Sequence, residues 1–433
     1  MSDWLKLIPA AEARRILSEV EPIGMEHVPL RQAAGRVLAV SLTAPHDLPL
    51  TRLSAMDGYA VRARDVQAAM SISAAGPAEA SLRVVGAIAA GTTFAGTVNP
   101  GEAVGIATGG VLPDGADAVL MVELASLVGD PGASASAGAM VDGYVQPGSR
   151  LRPTRLLVAG DNVVRPGEDI TAGARLLPAG RRLRAVDLAA LASFGVVDVP
   201  VYRRPLIAVL ATGSEICPPD QAPRPGQVRD SNQYVLAAAV GSAGGIAVAG
   251  GIVGDDAGLL QAAVARLLAA SDGVILSGGS SVGPKDLTAR VLDALGPPGV
   301  LFHGIDIRPG KPTVFGRVGP KPLIGMPGFP SSSTVVFEAF VRPLLARLGG
   351  ETVPGPWPAA ISARLTRAYQ KPASREDYLR VRLDERDGEL WADALPGGSF
   401  AISTLIVADG LARIPAGQDR LEPGAPVAVR RFI

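Results

Sequence analysis

Five short segments between residues 212 and 332 combine glycines, hydroxyls and charges in patterns that suit an anionic ligand. Thr212-Gly213-Ser214-Glu215 follows an apolar run. Its glycine frees backbone amides and its hydroxyls suit phosphate, while Glu215 offers an oxygen ligand to a divalent cation; alone, the same residues also describe a tight turn. Asp230-Ser231-Asn232 are all good helix N-caps, and a helix start also presents uncommitted amides to an anion, so both readings stand together. Ser277-Gly278-Gly279-Ser280-Ser281-Val282-Gly283 lets backbone wrap an anion closely but lacks the lysine of a nucleotide-binding P-loop. Beyond it, Asp286 suits magnesium, which pairs a few carboxylates with phosphate oxygens, or is a solvated acid in a first helical turn. Asp272 stands just before the strand that leads into this loop. Arg308-Pro309-Gly310-Lys311-Pro312 places a forked donor and a point charge on a stiff loop, as a tetrahedral oxyanion would require, or as an ordinary basic surface would allow. Met326-Pro327-Gly328-Phe329-Pro330-Ser331-Ser332 follows an apolar run and opens a helix, adding more hydroxyls and free amides.

The elements that position these loops follow from periodicity. From Arg204 to about Gly350, apolar β-branched runs alternate with Gly-rich loops and helical patterns, which predicts an α/β unit with a largely parallel sheet. Ligands of such sheets sit at the carboxyl ends of the strands, where all five loops fall. Their convergence on one rim argues for a site more strongly than any one of them.

Elsewhere, the pattern predicts a helix over Pro9–Glu19, a second helix-like stretch over Leu30–Val40, and a third within Arg184–Gly195. Residues 47–148 read as a β-rich insert with loops at 67–80 and 128–140. Residues 351–433 read as a small all-β tail. The expected divisions are 1–46 with 149–203 as a linking domain, 47–148 as the insert, 204–350 as the α/β domain, and 351–433 as the tail. Within the insert, Asp57-Gly58 and Thr108-Gly109-Gly110 read locally as turns.

Composition narrows the function classes. Lysine and arginine number 41 against 41 acidic residues, so electrostatic affinity for nucleic acid or an anionic membrane is disfavoured. Cys217 is the single cysteine, which excludes an intrachain disulfide and a Cys-based zinc site and fits a reducing cytoplasm. No nearby histidine in sequence would activate it as a nucleophile. No apolar run approaches a membrane span of roughly 20 residues.

Nine ordered motifs, SAMDGYAVR, ATGGVLPDGADAV, DNVVRPGEDI, ATGSEI, VRDSN, SGGSSVGPKD, RPGKPT, GMPGFPSS and SREDYLRVRL, resemble those of the molybdopterin molybdenumtransferase family, which includes the C-terminal domain of gephyrin. The aromatic Phe329 is closer to the branch common in archaea. The resemblance implies a multidomain fold: a molybdopterin-binding α/β domain with a parallel sheet, a β-rich insert, a helical and β linking domain, and a small β-barrel-like tail. It implies a homodimer that inserts molybdate, or tungstate, into adenylated molybdopterin with magnesium-dependent release of AMP. On this reading Asp57, Thr108, Asp230, Asp272 and Lys311 are catalytic. Thr212, Gly213, Ser231, Ser277, Gly278, Gly279, Ser280, Arg308, Pro312, Ser332, Arg375, Ser399 and Ser403 bind substrate, and Glu215 and Asp286 serve magnesium. The enzyme that adenylates molybdopterin and those that receive the cofactor are the implied partners. Arg308 stands where the family usually has lysine, and Ser331 where it has valine or threonine. A non-catalytic molybdopterin carrier and a molybdopterin adenylyltransferase or nucleotide pyrophosphatase are the alternatives.

Overall fold

The α/β sheet forms where the apolar runs predict it. In a computed structural model that describes residues 6–71, 80–89, 91–128, 140–141, 144–279, 287–352, 355, 357–358 and 360–432, strands Ile246–Val253, Leu206–Thr212, Gly273–Ser277 and Lys321–Met326 lie side by side in parallel. Leu206–Thr212 and Gly273–Ser277 are buried almost throughout, as both-face burial by helices demands. An antiparallel pair, Val314–Val318 and Pro298–His303, completes the six-stranded sheet on one side. The sequence pattern does not single out this pair, because a glycine interrupts each strand and Pro298 opens one of them.

Helices Asn232–Ser242, Ala257–Ala270 and Leu287–Ala294 cover the sheet, with Asp256 capping the second by accepting from the Leu259 amide at 2.8 Å. The helical run from Pro330 to Leu348 carries a π-type turn at Phe337–Val341 before Pro343. Proline has no amide to continue the regular ladder, so a widened turn absorbs the break.

The tail is a closed barrel. Strands Glu376–Arg386, Glu389–Ala394, Ile361–Leu365, Pro426–Arg431 and Gly410–Ile414 pair in that order, and the last returns to the first. Closure leaves no free edge among these five. Ile307–Arg308, from the basic loop of the α/β domain, adds in parallel to Glu376–Asp377. The N-terminal helix Ala10–Ser18 also meets the barrel, since Arg14 reaches Glu376.

The chain divides into two compact units, Met1–Ser41 with Pro178–Ile433, and Leu42–Leu177. The expected 47–148 insert lies inside the second, whose main sheet orders Ala118–Met121, Gly58–Val61, Glu102–Ile106, Leu82–Ala87, Arg150–Pro153 and Ala125–Leu127. This unit also holds a helix, Ala63–Ser71, so the first five residues of the loop expected from residue 67 are helical. Most of that loop and of the 128–140 loop lies outside the described residues. The helix expected over Leu30–Val40 is only a short 3-10 turn, Leu30–Gln32. Gly35 takes a left-handed φ of 72° and Val37 and Leu38 form β-bridges to Arg182 and Val201; backbone pairing wins over helical spacing there. The predicted third helix is present as Ala185–Ser193 and packs on that turn.

Candidate functional site

A cavity of about 960 Å³ opens at the carboxyl ends of the parallel strands. Among the described residues it is lined by Glu215, Asp230, Ser231, Asn232, Ser277, Gly278, Asp306, Arg308, Lys311, Pro312, Phe329, Ser332, Arg375, Ser399 and Phe400, with several apolar and proline neighbours. All five segments singled out by sequence therefore contribute to one wall.

Close backbone approach explains the glycines. Gly278 has φ of 97°, and a Cβ there would stand 2.2 Å from the Thr212 carbonyl oxygen. Gly310 has φ of 112°, and its Cβ would strike Val336 at 2.5 Å. These loops can cross only where no side chain intervenes. Thr212 and Gly279 lie at this crossing, and the Thr212 hydroxyl is fully buried with no hydrogen-bond partner among the described residues. Gly213 turns the chain so that the Glu215 carboxylate comes back over it; that carboxylate is exposed at the cavity.

Asp230 is buried and accepts from the Gln233 amide at 3.1 Å and the Gln233 side chain at 2.6 Å. It caps the helix and lines the cavity at once. Asn232 binds the loops together: its amide group donates to Ser277 Oγ at 2.6 Å and to the Gly328 carbonyl at 2.8 Å. The local pattern of Asn232 reads as a helix start that also presents amides to an anion; nothing in it signals a tie between two distant loops. Asp306 and Phe400 likewise carry no local signal, and Phe329 stands out only as the aromatic of its segment.

The cations come from two domains. Arg308 and Lys311 are exposed in the cavity, and no salt bridge engages either among the described residues. The Lys311 carbonyl accepts from the Ile305 amide at 3.0 Å and the Gly310 carbonyl from the Thr313 hydroxyl at 2.7 Å, fixing the loop. Arg375, from the barrel, is half-buried and grips Asp377 at 2.6 and 3.0 Å. Its hydrogen bonds to Asp377 raise its pKa. Burial, reinforced by the hydrogen bond it donates to Asp377, raises the Tyr369 hydroxyl well above its ordinary value, so it stays a donor. Ser332, at the start of a helix, and Ser399 add hydroxyls to the same wall.

Not every predicted residue joins this group. Asp272 lies at the amino end of strand Gly273–Ser277, where it accepts from the Leu206 amide at 2.9 Å and faces Arg203 at 3.4 Å. A residue before a parallel strand points to the opposite end of the sheet from the loop after it. Ser403 opens the short exposed helix Ser403–Val407 and is not among the cavity residues. Ser280 and Asp286 lie outside the described residues. Asp57 and Thr108 belong to the other unit, where the Thr108 amide and hydroxyl donate to Asp57 Oδ1 at 2.7 and 3.0 Å. Burial, with the Asp57 charge next in size, pushes the Tyr144 hydroxyl up to about 12.

The match to known proteins is long. The family described as "MoeA N-terminal region (domain I and II)" covers residues 8–195, "Probable molybdopterin binding domain" covers 208–347, and "MoeA C-terminal region (domain IV)" covers 362–432. A molybdopterin molybdenumtransferase of a Nostoc species is 35% identical over 93% of this chain and 88% of its own length. That of Bacillus subtilis is 33% identical over 98% and 93% respectively. The chain belongs to the molybdopterin molybdenumtransferase family. A molybdopterin biosynthesis MoeA protein of Pyrococcus horikoshii has the same fold, with a TM-score of 0.79 at 33% identity, covering 99% of this chain and all of the other. Membership of this family puts the protein in molybdenum-cofactor biosynthesis and bears out the multidomain fold that the resemblance implied.

Among the described residues no three His, Cys, Asp or Glu side chains gather as a metal site. Glu215 is nonetheless an exposed carboxylate beside hydroxyls and amides, a donor set that fits magnesium sharing its ligands with substrate phosphate rather than a cation caged by protein alone. No helix among the described residues is long and apolar enough to cross a membrane.

Proposed function

We propose that this chain transfers molybdate to adenylated molybdopterin, releasing AMP, with magnesium bound at Glu215. The observation that carries the reading is the convergence of Arg308, Lys311 and Arg375 with Ser332 and Ser399 in the one cavity that also holds Glu215. A tetrahedral oxyanion needs several fixed donors and net positive charge; the basic loop and the barrel supply both. The turns at Gly213 and Gly278 bring backbone and hydroxyls to where a phosphate would lie. Bound magnesium would neutralise phosphate charge as the anhydride opens, while the chain's own residues orient the two reacting groups.

Asp57 and Thr108 enter by family resemblance: the Thr108 amide and hydroxyl hold the Asp57 carboxylate in one orientation, as a positioned catalytic acid or base requires. The protein works as a cytoplasmic homodimer on this reading, receiving its substrate from the adenylating enzyme and passing the product to recipient enzymes.

The test is AMP release from adenylated molybdopterin by purified protein with magnesium, titrated separately with molybdate and tungstate. Oxyanion-stimulated release is expected. Tight pterin binding without release would replace the transferase with a carrier.

A further inference from the structure

Two aromatic rings stand at the cavity with much of their surface uncovered: Phe329 is 57% exposed and Phe400 72% exposed. An aromatic side chain gains stability chiefly by burying a large apolar face, and these two forgo it beside a polar, cationic wall. The segments that carry them are joined by one residue. Arg380, buried in the first barrel strand, donates to Ser331 Oγ at 3.0 Å, Thr404 Oγ1 at 2.6 Å, and the Gly398 and Gly397 carbonyls at 3.2 and 2.5 Å. Ser331 follows Phe329 by two residues, and Gly398 precedes Phe400 by two. The same guanidinium therefore joins the segment carrying one ring to the segment carrying the other. The Phe400 ring also lies against its own turn, since a Cβ on Gly398 would stand 2.7 Å from it. Among the described residues no carboxylate balances Arg380, so its burial costs free energy that the tie between the two segments offsets.

We infer that Phe329 and Phe400 form a stacking platform for a fused bicyclic nitrogen heteroaromatic ring, with Arg380 as the positioning residue that holds both plates. The inference rests on the reading of this cavity as the binding site for an adenylated pterin, a substrate with two such rings, adenine and pterin. Stacking on aromatics tolerates any flat π-system, so the shared chemistry is the planar bicycle. The anion beside it is held by Arg308, Lys311 and Arg375.

Binding of AMP, neopterin monophosphate and ribose 5-phosphate is measured by calorimetry on the full chain, with Phe329→Ala, Phe400→Ala and the two Phe→Trp variants. The wild type is expected to hold at least one ring-bearing probe more tightly than ribose 5-phosphate, by roughly 5- to 150-fold. Whichever probe shows the preference identifies the ring. Either alanine variant is expected to cut the preference at least fivefold while leaving ribose 5-phosphate unchanged, and the tryptophan variants to keep it. Both rings are exposed, so thermal melts of the variants should match the wild type. No ring preference in the wild type, or a preference surviving in both alanine variants, overturns the platform. Ring preference without AMP release from the adenylated pterin would leave the platform standing and sink the transferase reading instead.

Discussion

Arg14 and Glu376, 362 residues apart in sequence, meet through two parallel hydrogen bonds of 2.9 and 2.8 Å. Arg413 adds a third at 2.9 Å and the Tyr378 hydroxyl a fourth contact. Burial alone would raise the Glu376 pKa, but the hydrogen bonds from Arg14 and Arg413 overcome it and hold the carboxyl at about 2, against an ordinary 4.5. A depressed acid stabilises the fold above its unfolded pKa and loses that contribution as pH falls toward the folded value, here between about pH 5 and pH 2; the shift corresponds to about 3 kcal/mol. Glu376→Gln weakens the charged hydrogen bonds of two partly buried arginines and should cost about 2 to 3 kcal/mol at pH 7. Urea denaturation at pH 7, 5 and 3 checks both points: the wild type should lose more stability than the variant over the acid range. Equal losses would show that Glu376 does not titrate as stated.

The basic loop should set oxyanion response. Lys311→Ala removes an exposed point charge with no salt-bridge partner among the described residues, so the fold should hold. The molybdate concentration for half-maximal AMP release should rise roughly 10- to 100-fold, the scale of a lost hydrogen bond to a charged group. Arg308→Lys keeps the charge but not the fork, and a smaller rise with an altered molybdate-to-tungstate ratio is expected. Unchanged titration curves for both would remove this loop from the oxyanion site.

Gly278 and Gly109 separate crowding from backbone conformation. Both have positive φ, 97° and 79°, but an added Cβ meets the Thr212 carbonyl oxygen at 2.2 Å in the first and nothing within 4 Å in the second. Gly109→Ala should cost only the conformational penalty, about 1 kcal/mol. Gly278→Ala should cost clearly more and lower AMP affinity too. Thermal melts that ranked the two alike would mean the loop crossing near Thr212 relaxes freely.

Asp57 and Asp272 should divide catalysis from stability. Asp57→Asn should abolish AMP release with little change in melting temperature, because Asp57 is exposed. Asp272→Asn weakens the contacts to Arg203 and the Leu206 amide and should lower stability by about 1 kcal/mol, with turnover of the folded protein intact. A severe turnover defect in folded Asp272→Asn protein would return that residue to the chemistry.

Legibility in the sequence tracked how local the cause was. The strands Leu206–Thr212 and Gly273–Ser277 could be read because burial on both faces selects continuous apolar runs, and their loops because glycine and serine follow immediately. The strand Glu389–Ala394 could not: Glu389, Trp391 and Asp393 on a short barrel strand imitate a surface turn. Asp272 has its site role from family resemblance alone, and sequence shows that a residue adjoins a strand more plainly than it shows at which end of the sheet it lies. Asn232 escaped because a helix start is locally sufficient to explain it, while its partners Ser277 and Gly328 are 45 and 96 residues away. The Asp57 turn carries no local sign of chemistry at all; only resemblance to relatives marked it.

The pairing of Ile307–Arg308 with Glu376–Asp377 has a bearing on how the protein is made. Arg308 is synthesised long before the strand that holds it, and Arg375 enters the cavity only with the barrel. That barrel closes when Pro426–Arg431 takes its place between Ile361–Leu365 and Gly410–Ile414. A growing chain on the ribosome therefore carries the glycine-rich turns of the cavity early, yet gains the closed barrel beside Arg375 only once Pro426–Arg431 has emerged. The order of synthesis itself delays completion of the cavity until the barrel can close.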